Sequence, residues 1–308
     1  MSAGPDHGYA DHAAVTRLLR ADPPAEALRW VESVLGGGNV IDATAMRGGD
    51  SAAMHLVSVQ DAEDHRTQVV LRRYLRPEQQ AEQPSCALIE ANALTHVAGA
   101  SFPAPALLGF DPTGAEAGAP AVLMSRLEGQ PQWVGKRSWP DELVELALAI
   151  HDLPLPAPGL VRDFGVYRQR SYAPPRWAVD TRVWERAVEI FHGPVPEPHR
   201  FIHRDFYPGN LLWRGRQLTG VVDWESASVG PPAFDVAHCR LNLLYASPDL
   251  ADRLLVAWER ATREVYDPWA DIAAILCVLD SLRDHPPGRA ACEAFDGALS
   301  RAVSSYGG

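Results

Sequence analysis

The sequence predicts an α+β chain of two lobes: a small antiparallel β-sheet with one helix laid across it, then a mostly helical half holding a single β-hairpin. Three observations carry this. The chain has 308 residues, more than the roughly 250 to 300 at which a single hydrophobic core stops growing. Its apolar residues recur with period two between residues 40 and 75, and with helical period after about residue 130. Within the helical half, NLLWRGRQLTGVVDW alone reads as two short apolar runs around a polar turn. The expected division is a loosely held arm over 1–20, a first lobe over 21–128 and a helical second lobe over 129–308.

Each element has a local reason. DPPAEALRWVESVLGGG reads as a helix: Asp22 can cap it, the prolines suit a first turn, Leu28, Val31 and Leu35 share a face, and Gly36 to Gly38 stop it. Residues 40–46, 52–59 and 68–75 then read as three strands whose short connections force antiparallel pairing. SCALIEANALTHVAGA is a helix and PAVLMSRL a further strand. After residue 130 come SWPDELVELALAIHDL, RWAVDTRVWERAVEIF, SPDLADRLLVAWERATREV, PWADIAAILCVLDSL and GRAACEAFDGALSRAV, all helical in period and separated by proline-rich breaks. The hairpin pairs 211–213 with 218–222 across a turn at 214–217. Trp177, Trp184, Trp258 and Trp269 fall at helical spacing and read as core.

Composition narrows the class. With 46% hydrophobic and 22% charged residues the chain is ordinary globular protein. A net charge of −11 without a Lys/Arg run argues against nucleic-acid binding, and would attract a cationic small molecule. Cys86, Cys239, Cys277 and Cys292 share no metal or disulfide spacing and read as reduced thiols. No secretory leader and no run of 18 apolar residues is present, so the expectation is a cytoplasmic protein with no membrane partner, monomer or dimer.

The chemistry concentrates in FIHRDFYPGN, residues 201–210. Four residues separate Asp205 from Asn210, the spacing of the HRDxxxxN loop in which the Asp accepts a hydroxyl proton and the Asn holds a metal ion. The hairpin that follows returns the chain to the same end, which is expected to bring Asn210 and Asp223 side by side. An amide carbonyl and a carboxylate are hard oxygen ligands of the kind Mg²⁺ takes together with substrate phosphates. HRDFYPGN followed by VVDWESASVGPPAFDVA resembles the catalytic core of the aminoglycoside phosphotransferase family, small-molecule kinases of the protein-kinase-like fold related to choline, homoserine and methylthioribose kinases. The resemblance is strong over 200–240 and weaker, though in order, over 40–155.

That resemblance implies a bilobal kinase-like fold with Asp205 as catalytic base, Asn210 and Asp223 as magnesium ligands, and Asp235 bracing the loop, with His203 in structural support. In the first lobe it implies that Gly48 and Gly49 of RGGDSA cover the phosphates and that Arg72 stands where the family has its phosphate-pairing lysine. Glu90 would pair that cation, and the backbone of Ser125 and Leu127 would meet adenine. Arginine keeps the charge but not the shape of lysine. Arg204 stands where the family more usually has glycine. His151, His192 and His238 read as helix residues with no metal spacing. Only six residues run from Asp223 to the turn at Gly230, with no APE sequence after it, which leaves no room for a polypeptide-docking activation loop. The expected reaction moves the γ-phosphate of ATP or GTP to a hydroxyl of a small, cationic or neutral acceptor, such as an aminoglycoside. The alternatives are a choline-, homoserine- or methylthioribose-type metabolite kinase, or a nucleotide-binding protein of the same fold without catalysis.

Overall fold

In this computed structural model the chain is described over residues 12–46, 51–82, 85–133, 139–165, 171–284 and 286–307. It divides into two compact units, one of Tyr9–Gln130 with Leu212–Ser226, the other containing Pro131–Leu211 and Ala227–Gly308. The division is not a single cut near residue 128: the hairpin belongs with the sheet-bearing unit, and the loop that precedes it belongs with the helical one.

The sheet unit begins with α1 (His12–Arg20) and α2 (Ala25–Val34). Residues 12–20 were expected within a loose arm, yet Val15 and Leu19 share one helical face and Leu19 is buried. Helix α1 packs on β2 (Ala53–Gln60), and Nε2 of the buried His55 lies 3.0 Å from the Ala21 carbonyl oxygen. Pro24, not Asp22, is the N-cap of α2, and its carbonyl accepts from the Ala27 and Leu28 amides. The strands β1 (Asn39–Ala45), β2, β3 (Arg66–Arg73), β4 (Leu107–Asp111) and β5 (Ala121–Ser125) form one antiparallel sheet in the order β1-β2-β3-β5-β4. Strand β4 was expected as connection, because prolines precede it. Pairing with β5, from Leu107↔Met124 to Asp111↔Ala121, makes it a strand.

On one face Trp30 and Val31 of α2 close over Val57, Val69, Leu71 and Leu123. Two further helices, α3 (Pro77–Glu82) and α4 (Cys86–His96), follow β3, and α4 packs on β4 and β5. Strands β9 (Leu211–Arg214) and β10 (Gln217–Val221) form the expected hairpin, joined at one edge by β6 (Gln130–Pro131). Trp224, just after it, is fully buried and stacks on Phe102 at 6.0 Å.

The helical unit contains α5 (Trp139–His151), α6 (Thr181–Phe191), α7 (Ala233–Ala246), α8 (Pro248–Thr262), α9 (Trp269–Cys277), α10 (Leu279–Asp284) and α11 (Arg289–Ser305). Helix α6 starts at Thr181 because the Asp180 side chain caps the Arg182 amide at 3.0 Å. Three of the four expected tryptophans are core here, Trp184, Trp258 and Trp269, while Trp177 is half-buried: Trp184 donates to Asp296 at 3.0 Å, and Trp269 stacks on Phe191. A three-stranded sheet of β7 (Arg162–Asp163), β11 (Ser228–Gly230) and β8 (Arg200–Ile202), in the order β7-β11-β8, feeds the stretch after Ile202. The four cysteines are free. Among the described residues no helix is long and apolar enough to cross a membrane.

Candidate active site

In the helical unit, β8 buries Phe201 and Ile202 completely and releases the chain at His203. What holds the next residues is Asp235, in the first turn of α7 and itself fully buried. Its Oδ2 accepts from the His203 amide at 3.0 Å and its Oδ1 from the Arg204 amide at 2.6 Å. His151 of α5 places Nε2 2.9 Å from the same Oδ2. One carboxylate thereby pins two successive backbone amides, and charge-assisted bonds of this type are the strong ones. His203 is buried, with its ring edge-on to Phe206.

Arg204 adopts φ 68°, the left-handed region that favours glycine, which accounts for the glycine more usual at this position. The strained residue is secured on its side-chain end. Its guanidinium lies 5.1 Å over the Phe164 ring and donates to the Gly165 carbonyl. Phe164 in turn sits against Gly230, where a Cβ would come within 2.5 Å of it. Arg204 is 4% exposed, so it is a structural tie of the loop to β7 and β11.

Asp205 follows with its side chain 28% exposed. Asn210, closing a 3-10 turn over Pro208–Asn210, donates from Nδ2 to the Asp205 carbonyl at 2.9 Å and to Asp205 Oδ2 at 2.8 Å. Both bonds use the amide nitrogen, so the Asn210 carbonyl oxygen is turned the other way. On the other carboxylate oxygen, His238 Nε2 stands 2.9 Å from Asp205 Oδ1. That contact has no local signal, because His238 is 33 positions along the chain and one turn past Asp235 on α7.

In the sheet unit a second constellation forms around Arg72, buried on β3. Its Nη1 donates to Glu90 Oε1 and to Asp223 Oδ1, both at 2.8 Å. Its Nη2 donates to Ser51 Oγ at 3.1 Å and stands 2.7 Å from Glu225 Oε2. One cation thus faces three carboxylates, and its terminal N–H groups are directed at protein oxygens. Tyr74 completes the shell by donating to Glu90 Oε2 at 2.7 Å. Burial lowers the guanidinium's hold on its proton, but Asp223, Glu225 and Glu90 more than reverse this and push Arg72 well up. Burial raises Glu90, and it raises Glu225 to about 7 against the pull of Arg72, with Asp223 and Glu90 adding to the rise. Asp223 itself takes φ 70°, a second left-handed non-glycine residue among the candidate site residues after Arg204.

Of the expected site residues, Asp205, Asn210, His203 and Asp235 come together in the helical unit, and Arg72, Glu90 and Asp223 in the sheet unit. Ser125 ends β5 with its amide already donating to the Ala106 carbonyl at 2.9 Å, and Leu127 lies in the irregular stretch after it. Gly48 and Gly49 lie outside the described residues. Sequence reasoning missed Ser51, Tyr74, Glu225 and His238. Glu225 had a weak signal in its place two residues after Asp223.

A family model described as "Phosphotransferase enzyme family" matches residues 50–272. Among curated proteins, a homoserine kinase of Chelativorans sp. is 30% identical over 161 residues, 46% of this chain and 47% of the relative. One from Beijerinckia indica is 42% identical over 59 residues, 19% of this chain and 18% of the relative. The matched stretch spans less than half the length of these relatives. Among solved structures, the aminoglycoside phosphotransferase APH(4)-Ia in ternary complex with ADP and hygromycin B has a TM-score of 0.60 at 18% identity, covering 91% of this chain and 99% of its own. The streptomycin–ATP complex of APH(2")-IIa gives a TM-score of 0.52 at 14% identity, covering 83% and 88%. At these identities the structural likeness speaks for the fold.

Proposed function

The chain belongs to the phosphotransferase enzyme family, and from that premise we propose that it moves the γ-phosphoryl group of ATP to a hydroxyl of a small molecule. The observation that carries the reading is the loop itself: Asp205, partly exposed, is held by Asn210 at 2.8 Å while Asp235 pins the two residues before it. In the proposed step the acceptor oxygen bonds to the γ-phosphorus, the bridging oxygen leaves with ADP, and the hydroxyl proton passes to the Asp205 carboxylate.

Asn210 and Asp223 are the Mg²⁺ ligands of this reading, a pairing that rests on the family's motif and on the donor each presents within its own unit. Asn210 spends its nitrogen on Asp205 and keeps its carbonyl oxygen, and Asp223 offers a carboxylate of which one oxygen is bound to Arg72. Both are the hard oxygen donors that magnesium selects. When bound, the ion would neutralise charge on the phosphates. Arg72, expected to face the phosphates, enters as the residue that fixes Asp223, since its terminal N–H groups already meet Glu90, Asp223, Ser51 and Glu225. The reaction belongs where ATP is available, in the cytoplasm.

The acceptor class is proposed from the relatives. The homoserine kinases are matched by sequence, the longer match over 46% of this chain, and on that ground a small hydroxy amino acid is the first acceptor class. The test is phosphate gain by mass with homoserine and hygromycin B as separate acceptors, MgATP as donor and magnesium omission as control. Asp205→Ala is expected to cut turnover by about 10²- to 10⁴-fold, the general-base range. Undiminished transfer by that variant would refute the assignment of the base.

A further inference from the structure

Asp205 is gripped from both sides, and only one of the two grips belongs to the loop motif. Asn210 holds Oδ2 at 2.8 Å. The other oxygen, Oδ1, faces His238 Nε2 at 2.9 Å. His238 is not placed there by chance of a mobile surface side chain. It is 12% exposed, its ring stacks on Phe234 at 6.2 Å with the planes 29° apart, and Tyr207 meets it edge-on at 6.0 Å. Its backbone is secured as well, because Asn242 donates to the His238 carbonyl at 3.0 Å.

The helix geometry makes this a two-point attachment. Residues three apart on a helix lie on one face. Asp235 and His238 therefore reach the same loop from successive turns of α7: Asp235 takes the backbone amides of His203 and Arg204, and His238 meets the side chain of Asp205. A carboxylate touched at one oxygen can still swing about the bond to its methylene carbon. Contacts on both oxygens fix its plane, and a carboxylate oxygen carries more than one lone pair. A base must present such a lone pair to the incoming hydroxyl within hydrogen-bond reach.

We propose that His238 is a positioning residue for phosphoryl transfer, fixing the plane of the Asp205 carboxylate through its Nε2 contact with Oδ1. The inference rests on Asp205 being the base of the proposed reaction. His238 does no chemistry of its own in this assignment. Its effect is confined to how often Asp205 faces the acceptor, so it bears on turnover and leaves nucleotide binding alone.

The experiment follows MgATP conversion to ADP with water as the acceptor, in wild type, H238A, H238Q, D205N and D205N/H238A. H238A is expected to lower kcat by about 10- to 100-fold, the range seen when a partner orienting a reactive ligand is removed, with KM for ATP unchanged. H238Q keeps a donor at comparable reach and is expected to recover most of that loss. In the D205N background, H238A is expected to add nothing, since residues acting through one another are non-additive. The proposal is overturned if H238A matches wild type, if H238Q is no better than H238A, or if the H238A loss recurs in full on D205N. Wild-type turnover by D205N instead overturns the base assignment. Should wild type form no ADP with water as acceptor, only the kinetic arm is silent, and the phosphotransfer reading stands or falls on the acceptor assay above. The imidazole nitrogen resonances of His238 then decide the contact: a shift on D205N supports it and unmoved resonances overturn it.

Discussion

Glu225→Gln isolates the electrostatics of the Arg72 cluster. Glu90, Asp223 and Glu225 surround one guanidinium, and burial, aided by the two neighbouring carboxylates, lifts Glu225 from 4.5 to about 7. Below pH 4.5 the folded and unfolded chains both keep the Glu225 proton, and above about 7 both have lost it. Between those limits the folded chain binds more protons than the unfolded one. Stability therefore falls as pH rises through the window. A pKa difference of one unit is worth about 1.4 kcal/mol, so this lift amounts to a loss on the order of 3 kcal/mol. Glutamine has the shape of the protonated acid and no charge to release. The expected result is that wild type and E225Q have similar stability near pH 4.5, while near pH 8 E225Q is more stable by that order. Urea unfolding in EDTA without nucleotide measures it, read as midpoint shifts at constant slope. Stability curves for the two proteins that run parallel from pH 4.5 to 8 would refute the reasoning.

Arg72→Met removes the cation and leaves the buried Glu90 and the part-buried Asp223 and Glu225 facing one another, at an expected cost of about 3–5 kcal/mol, read by the same unfolding assay; Arg72→Lys, which keeps the charge but cannot make the forked contacts, should fall between it and wild type. Asp111→Ala should destabilise the sheet unit by roughly 1–3 kcal/mol per amide left buried and unsatisfied, since Asp111 accepts from the Gly114, Glu116 and Ala117 amides at 2.8, 2.8 and 2.9 Å. Burial pushes that carboxyl up, but those amides outweigh it and hold its pKa down, so the contribution is present at neutral pH and is lost on acidification through the folded-state value. Asp235→Asn should lower phosphate transfer while leaving ATP binding intact, because an amide offers one acceptor oxygen where the His203 and Arg204 amides now meet two. Equal transfer by D235N and wild type would contradict the bracing role.

The fold class, the order of the main strands and the reactive loop are all legible locally. Alternation marks β2, a short apolar run marks β3, turn chemistry marks the hairpin, and the Asp205-to-Asn210 spacing is a property of one short loop. Strand β4 was not legible because its two-residue period is short and prolines precede it, so only its ladder to β5 defines it. Helix α7 was read only at His238 and not as a whole element, for the opposite reason: it is buried on nearly every side and shows no polar stripe to reveal its period.

Site residues divide along the same line. Asp205, Asn210 and Asp223 could be singled out in the sequence, because their residue types and spacing match a phosphoryl-transfer motif. What surrounds them was decided by tertiary structure. Arg72 meets Asp223 across 151 positions and Glu90 across 18, and His238 reaches Asp205 from a different secondary-structure element. The physical reason is that charge and hydrogen bonding act through space over a few ångströms. A motif specifies which groups one loop carries, and only the packing of α7 and of β3 brings to that loop, and to Asp223, the partners that orient and charge them.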